Sequence, residues 1–184
     1  MDWCRSRLER LRNRQADGNK GTFGRVLIVA GSRGMCGAAY LSGLAAYRTG
    51  AGLVKLLTVP ENREILQNQL PEAIVETYDP EELSLEEGKL FLEKQCRWAD
   101  VIVLGPGLGR EPYVCDLVEQ ILADAFVPIV LDADGLNTVA SHPYLTRYFT
   151  ENIIITPHMG EMARLCSCSV EQLKEDPVQA ARSY

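Results

Sequence analysis

The chain has 184 residues, of which 46% are apolar and 24% charged, the balance of an ordinary globular domain. Nineteen Lys and Arg against 25 Asp and Glu leave a formal net charge of −6, which, with no basic block, argues against general nucleic-acid binding. No stretch approaches the ~18 consecutive apolar residues of a membrane span, and the N-terminus has no apolar core for a secretory signal.

Residues 1–16 read as a separate amphipathic helix, with Trp3, Leu8 and Leu11 on one face. Its five Arg lie elsewhere on the helix and are interrupted by Asp2 and Glu9, so an acid-poor transit peptide is not indicated. A polar, Gly-containing loop over 15–24 leads into Arg25–Ala30, a continuous apolar run that predicts a strand buried on both faces. It stops at Gly31-Ser-Arg-Gly-Met-Cys-Gly37, after which Ala38–Thr49 predicts a helix of small residues. Leu53–Val59 predicts a strand, Asn62–Gln69 a short helix and Ala73–Thr77 a short strand. Glu81–Lys94 predicts a helix whose acidic residues (Glu81, Glu82, Glu86, Glu87) form a solvated face.

Asp100–Leu104 predicts another buried strand, ending at Gly105-Pro-Gly-Leu-Gly109. Tyr113–Ala125 predicts a helix, and Val127–Leu131 a strand ending at Asp132-Ala-Asp134. Asn152–Thr156 predicts a strand ending at Pro157-His-Met-Gly-Glu161. Short helices are expected at Met162–Cys166 and Val170–Lys174, and a last one opens with Asp176 as N-cap and Pro177 at its first position. Strands alternating with helices imply an α/β fold: a mostly parallel central sheet with right-handed crossovers and helices on both faces.

Six Cys occur in a chain long and apolar enough to fold without disulfides, and their spacing matches no zinc pattern. All six are expected to be reduced and mostly buried, in the cytoplasm. Only His142 and His158 supply imidazole, which excludes a metal site needing several imidazole ligands.

In open parallel sheets, ligands bind beyond the carboxyl ends of the strands. Three groups converge there: Gly31–Gly37, Gly105–Gly109, and Asp132 and Asp134 with His158 and Glu161. The Gly105–Gly109 turn lets backbone amides approach a phosphate or a flat ring, or is a tight strand-to-helix turn. Its spacing is not the dinucleotide fingerprint, and no GK[ST] occurs anywhere. Asp132 and Asp134, with Asn137 nearby, could hold Mg²⁺ with its waters or cap the following turn. His158 and Glu161 could bind a ligand by hydrogen bonds or cap a helix.

Four segments in order, Lys20–Val54, Ala99–Gly109, Pro128–Asn137 and Ile155–Leu165, together resemble the ADP/ATP-dependent NAD(P)H-hydrate dehydratase family, the carbohydrate-kinase-like domain of the YjeF type. The resemblance runs from residue 17 to residue 184 and implies a ribokinase-like fold. It implies a repair lyase: ADP or ATP, with Mg²⁺, phosphorylates the hydroxyl of hydrated NADH or NADPH, and loss of phosphate restores NAD(P)H.

Carried over by position, Ala38 and Ala39 match the family's wall beside the hydrated dinucleotide, and Gly107 matches a glycine that touches the same ligand, with Gly105 of the same turn also expected to bind it. His158 matches a substrate-binding histidine, with Glu161 and Arg164 just beyond it, and Met159 stands where the family usually has Pro. Asp132, Asp134 and Asn137 match the stretch near phosphoryl transfer. The family's Lys-Gly-x-x-Thr segment and its Gly-x-Gly-Asp turn, with the proposed base, do not occur in this sequence. By resemblance the last strands and helices of the domain are therefore missing, and the isolated chain is expected to have little or no turnover. An exposed sheet edge would favour a homo-oligomer. Two other readings are a small-molecule kinase of the same fold and a non-catalytic nucleotide-binding or assembly fragment.

Overall fold

The computed structural model describes residues 17–184, and the expected N-terminal helix and Cys4 lie outside them. After a 3₁₀ turn at Lys20–Phe23 come β1 (Arg25–Val29), α1 (Cys36–Thr49) and β2 (Leu53–Thr58). Another 3₁₀ turn, Pro60–Asn62, leads to α2 (Arg63–Gln69), β3 (Ile74–Thr77), α3 (Glu86–Trp98) and β4 (Val101–Leu104). Then follow α4 (Tyr113–Asp124), β5 (Ile129–Leu131), α5 (Asp134–Ser141), a 3₁₀ segment Pro143–Tyr148 and β6 (Ile153–Ile155). The described residues end with α6 (Met159–Leu165), α7 (Val170–Glu175) and α8 (Pro177–Ser183).

The six strands form one parallel sheet in the order β3-β2-β1-β4-β5-β6. Two cores explain why β1 is a continuous apolar run rather than an alternating one. Leu27 and Val29 enter the core beneath α3, α4 and α5, whereas Ile28 and Ala30 enter the core beneath α1 and α2. Both faces are covered from Val26 onward, so these positions must be apolar, and only Arg25 at the strand's start is charged, paired with Asp100. In the second core α1 approaches the sheet closely because it offers Ala39 and Gly43. A Cβ on Gly43 would stand 2.8 Å from Leu70 and 3.1 Å from Leu56. Lys55, on β2, is buried in a polar niche: its Nζ donates to Gln95 at 2.7 Å and lies 4.2 Å from the Trp98 ring centroid.

Three expectations are corrected. The helix expected at Glu81–Lys94 begins at Glu86 and runs on to Trp98. Residues 79–85 instead form turns, with Asp79 Oδ1 accepting the Glu81 N–H and Glu82 O accepting the Leu85 N–H. These turns fold back over α3, so that a Cβ on Gly88 would sit 2.1 Å from Glu82 O. Helix continuation to Trp98 follows from burial of Leu92, Gln95 and Cys96. Second, the Asp132-Ala-Asp134 turn opens directly into α5, a helix the apolar pattern did not reveal because it is short and begins on a charged residue. Third, α6 starts at Met159 instead of Met162, since His158 acts as its N-cap.

Of the five described cysteines, only Cys96 is fully buried; the other four are half-buried, and all are free. The acidic residues at 81, 82, 86 and 87 are exposed, as a solvated face requires. No described helix is long and apolar enough to cross a membrane.

Candidate functional site

The strand order places its topological switch between β1 and β4, whose following connections leave to opposite faces. This is where an open α/β sheet forms a crevice. The two glycine turns flank it and are joined to each other: the Gly31 N–H donates to Pro106 O at 2.8 Å and the Gly105 N–H to Val29 O at 3.1 Å. Side chains from the end of β2 and from the 3₁₀ turn after it hold the first turn. Thr58 Oγ1 donates to Gly31 O at 3.1 Å, and the buried Asn62 Nδ2 donates to Ser32 O at 3.2 Å and Thr58 Oγ1 at 2.9 Å.

Two glycines of the β4 turn admit no side chain. Gly105 has φ +126°, and a Cβ there would lie 1.9 Å from Asp132 O. Gly107 has φ +65° and packs under the start of α1, where a Cβ would stand 2.7 Å from the Ala38 Cβ. Ala38 and Gly107 are therefore in near contact across the crevice, while Ala39 points down into the core.

Hydrogen bonds carry this arrangement sideways to α6. Asp134 Oδ2 accepts the Gly109 N–H at 2.9 Å, and its Oδ1 accepts Asn137 Nδ2 at 3.1 Å. Asn137 Oδ1 in turn accepts Arg164 Nε at 2.9 Å. Asp132 Oδ1 accepts Thr156 Oγ1 at 2.9 Å, linking the β5 and β6 turns. Between the two aspartates Ala133 has φ +50° and ψ −118°, a conformation that L-residues rarely adopt.

His158 caps α6: Nδ1 accepts the N–H of Gly160 at 3.0 Å and of Glu161 at 3.4 Å, while Glu161 Oε2 accepts the His158 N–H at 3.0 Å. With Nδ1 an acceptor, the neutral ring carries its proton on Nε2, which lies 3.1 Å from Glu161 Oε1. Glu161 is buried, whereas the His158 side chain is 67% exposed. The ring is thus oriented from within and presented outward.

All ten expected site residues lie at the carboxyl rim of the sheet, after β1, β4, β5 and β6. Gly107 and His158 share that rim; a chain of hydrogen bonds runs along it from the Gly109 N–H through Asp134 and Asn137 to Arg164 on α6. The cavities bring in residues that sequence reasoning passed over. One, of about 430 Å³, is lined by Ser32, Arg33, Met35, Arg110, Tyr113 and Asp134 among others. A neighbouring one, of about 310 Å³, lies between α4 and α5 and includes Arg110, Val114, Asn137, Thr138, His142 and Arg164. Arg33, Arg110 and His142 carry no motif signal; only their place beside the glycine turns could have flagged them.

The residues do not fit a protein-held Mg²⁺. Both Asp134 oxygens accept hydrogen bonds, and only Asp132 Oδ2 of the two carboxylates is without one. No group of three or more His, Cys, Asp or Glu able to hold a metal occurs among the described residues.

Residues 26–184 match the carbohydrate-kinase-type family described as NAD(P)H-hydrate dehydratase. The chain belongs to that family. A bifunctional NAD(P)H-hydrate repair enzyme of Moorella thermoacetica is 38% identical over 193 residues, covering 99% of this chain and 34% of the relative. An ADP-dependent (S)-NAD(P)H-hydrate dehydratase of Lactococcus lactis is 36% identical, covering 92% of this chain and 58% of the relative. A ribokinase-like superfamily protein of Enterococcus faecalis superposes with a TM-score of 0.75 at 29% identity, over 87% of this chain and 54% of that one. The ADP/ATP-dependent NAD(P)H-hydrate dehydratase of Bacillus subtilis, crystallised with ATP and Mg²⁺, gives 0.72 at 29%, over 95% and 60%. The fold is thus the ribokinase-like α/β fold, and the chain spans a third to three-fifths of the length of these relatives.

Proposed function

We propose that the chain forms the dinucleotide-binding part of an ADP/ATP-dependent NAD(P)H-hydrate dehydratase, in a ribokinase-like domain beginning at residue 17. The observation that carries this is the pair of glycine turns at the β1/β4 switch, where Gly107 packs against Ala38 with no room for a Cβ. Bare backbone lets a flat ring approach closely, and membership of the dehydratase family supports a hydrated nicotinamide as that ring.

On this reading the hydrated nicotinamide lies along Ala38 and Gly107, with the buried Ala39 and Gly105 supporting that wall from behind. His158, whose two ring nitrogens are held by Glu161 and the α6 N-terminus, presents its exposed ring to it, and Arg164 holds the α6 side through Asn137. Asp132, Asp134 and Asn137 fix the turns facing the phosphoryl end. In the reaction ADP or ATP transfers a phosphoryl group to the hydroxyl that water added to the ring. The C–O bond then breaks, phosphate leaves, and NAD(P)H is restored with AMP or ADP as the other product. Mg²⁺ would arrive on the nucleotide's phosphates, since no group of three or more potential ligands among the described residues would hold it alone.

A second reading is favoured by one fact: the sequence contains neither Gly-x-Gly-Asp nor Lys-Gly-x-x-Thr. The chain would then bind the dinucleotide without completing the chemistry. Incubation of hydrated NADH with the chain, ADP and Mg²⁺, followed by NADH absorbance, separates the two. Recovery of absorbance supports the enzyme; NADH binding by calorimetry without recovery supports the binding module. Absence of both removes the family's activity from this chain. We place the protein in the cytoplasm as a homo-oligomer, with Ile154 on edge strand β6 57% exposed; a monomer by light scattering would refute the assembly.

A further inference from the structure

Helix α6 ends on two cysteines that the rim does not use. Cys166 is the C-cap, and Cys168 follows it across Ser167. The exit is a Schellman turn: the Cys168 N–H donates to Ala163 O at 3.0 Å and the Ser167 N–H to Arg164 O at 3.2 Å. Its corner needs a left-handed residue, usually glycine, and here Ser167 takes that conformation at φ +53°.

The turn folds Cys168 back onto the end of the helix. Both cysteine side chains pack against the cluster of Met162, Ala163 and Leu173. They also touch each other: burial first, then the hydrogen bond and charge of Cys168, push the Cys166 thiol up. Consecutive Cα atoms are about 3.8 Å apart, and a disulfide spans Cα separations of about 4.4–6.8 Å. Residues two apart on a reversing chain are within that reach. Both thiols are half-buried and open to a small reagent, whereas Cys96 is shut in the core. Cys36, Cys96 and Cys115 sit on three different helices, α1, α3 and α4. The pair also adjoins the rim, since Arg164, whose Nε donates to Asn137, supplies a carbonyl to the same turn.

We propose that Cys166 and Cys168 form a redox site, a dithiol that closes to an intrachain disulfide by exchange with a low-molecular-weight disulfide such as oxidised glutathione. One protein thiolate attacks a sulfur of the reagent, whose S–S bond breaks and releases one reduced thiol. The other protein thiolate attacks the resulting mixed disulfide, so the protein S–S bond forms and a second reduced thiol leaves. The two cysteines are oxidised by two electrons, the reagent is reduced by two, and the two thiol protons end on the released thiols. The site stands whether or not the rim binds a nicotinamide.

The test equilibrates the folded 184-residue chain with graded ratios of reduced and oxidised glutathione, blocks free thiols with iodoacetamide and digests with trypsin. Cleavage after Arg164 and Lys174 releases Leu165–Lys174, which holds both cysteines and no other. By mass spectrometry this peptide should lose both alkyl groups and two hydrogens as the oxidised share rises, while Cys36, Cys96 and Cys115 stay alkylated. Dithiothreitol should reverse the change. In the urea-unfolded chain the same closure should need at least tenfold more oxidised glutathione, because the Schellman turn no longer holds the thiols together. Cys168→Ser should leave a glutathione adduct on Cys166 in place of the internal bond. A peptide that stays doubly alkylated at every ratio, or carries glutathione on both cysteines, overturns the proposal. So does closure at the same ratio in the folded and unfolded chain.

Discussion

Asp134 ties one turn of the site to another: its Oδ2 accepts the Gly109 N–H at 2.9 Å, across the β4 and β5 ends. Because Oδ1 is also engaged, with Asn137, the carboxylate serves as a double acceptor. Asp134→Asn keeps one acceptor and turns an NH₂ toward a donor. It is expected to cost ~1–3 kcal/mol, read as a lower urea midpoint at unchanged slope. Asp134→Ala should cost at least as much, and should weaken NADH binding as the Gly109 turn loosens.

Gly107 and Ala38 can be tested as a pair. Gly107→Ala places a methyl 2.7 Å from the Ala38 Cβ and should weaken dinucleotide binding and stability together. Ala38→Gly alone costs about 1 kcal/mol of helix propensity. If the contact is real, the double variant is more stable than the sum of the single losses, a coupling of ~0.5–3 kcal/mol. Strict additivity in chemical denaturation would show that the two residues do not touch.

Ala133 stores backbone strain. Its φ of +50° with ψ −118° costs on the order of 1–3 kcal/mol for a residue with a Cβ. Glycine removes that cost while adding ~0.4–1 kcal/mol of unfolded-state entropy. Ala133→Gly should therefore raise Tm, and Ala133→Val should lower it sharply. A fall in Tm for the glycine variant would refute the strain.

The acid limb of the stability profile has two sources. Glu119, on α4, accepts hydrogen bonds from Tyr144 at 2.7 Å, Tyr148 at 2.8 Å and Arg147 at 2.9 Å, and these hold its carboxyl below its ordinary range. Asp100 is lowered by Arg25, whose side chain and backbone N–H both donate to it. A depressed carboxyl contributes stability present in full above its unfolded value, about 4, and lost as pH falls through the folded value. Urea midpoints measured between pH 6 and pH 2.5 should fall less steeply in Glu119→Gln than in the wild type. An identical slope would exclude Glu119 as a source.

Much of the fold was legible because its strands are buried on both faces. β1 and β4 announce themselves in this way as unbroken apolar runs, each ended by a turn rich in Gly; β6 reads as an apolar run too, although at the sheet edge its Ile154 is exposed. What stayed hidden was short or began on polar residues. The α5 helix starts on Asp134 and buries only Gly135, Leu136, Thr138 and Val139, too few positions to show a period. The false start of α3 came from Leu83, whose spacing fits a helix but which reaches the core from a turn. At the site, the glycine turns and the His158 motif were visible as residue patterns. Arg110, His142 and Asn62 were not, because their roles depend on what the fold sets beside them.

The central place of β1 has a cost during synthesis. A chain emerging from the ribosome can zip β1, β2 and β3 together early, yet the other flank of β1 stays bare until β4 arrives, since Val26 pairs with Val101. Such distant pairing is slow to close. Until then an apolar ribbon is available to any passing strand, so the nascent polypeptide should be a client of holdase chaperones up to the moment β4 clears the exit tunnel.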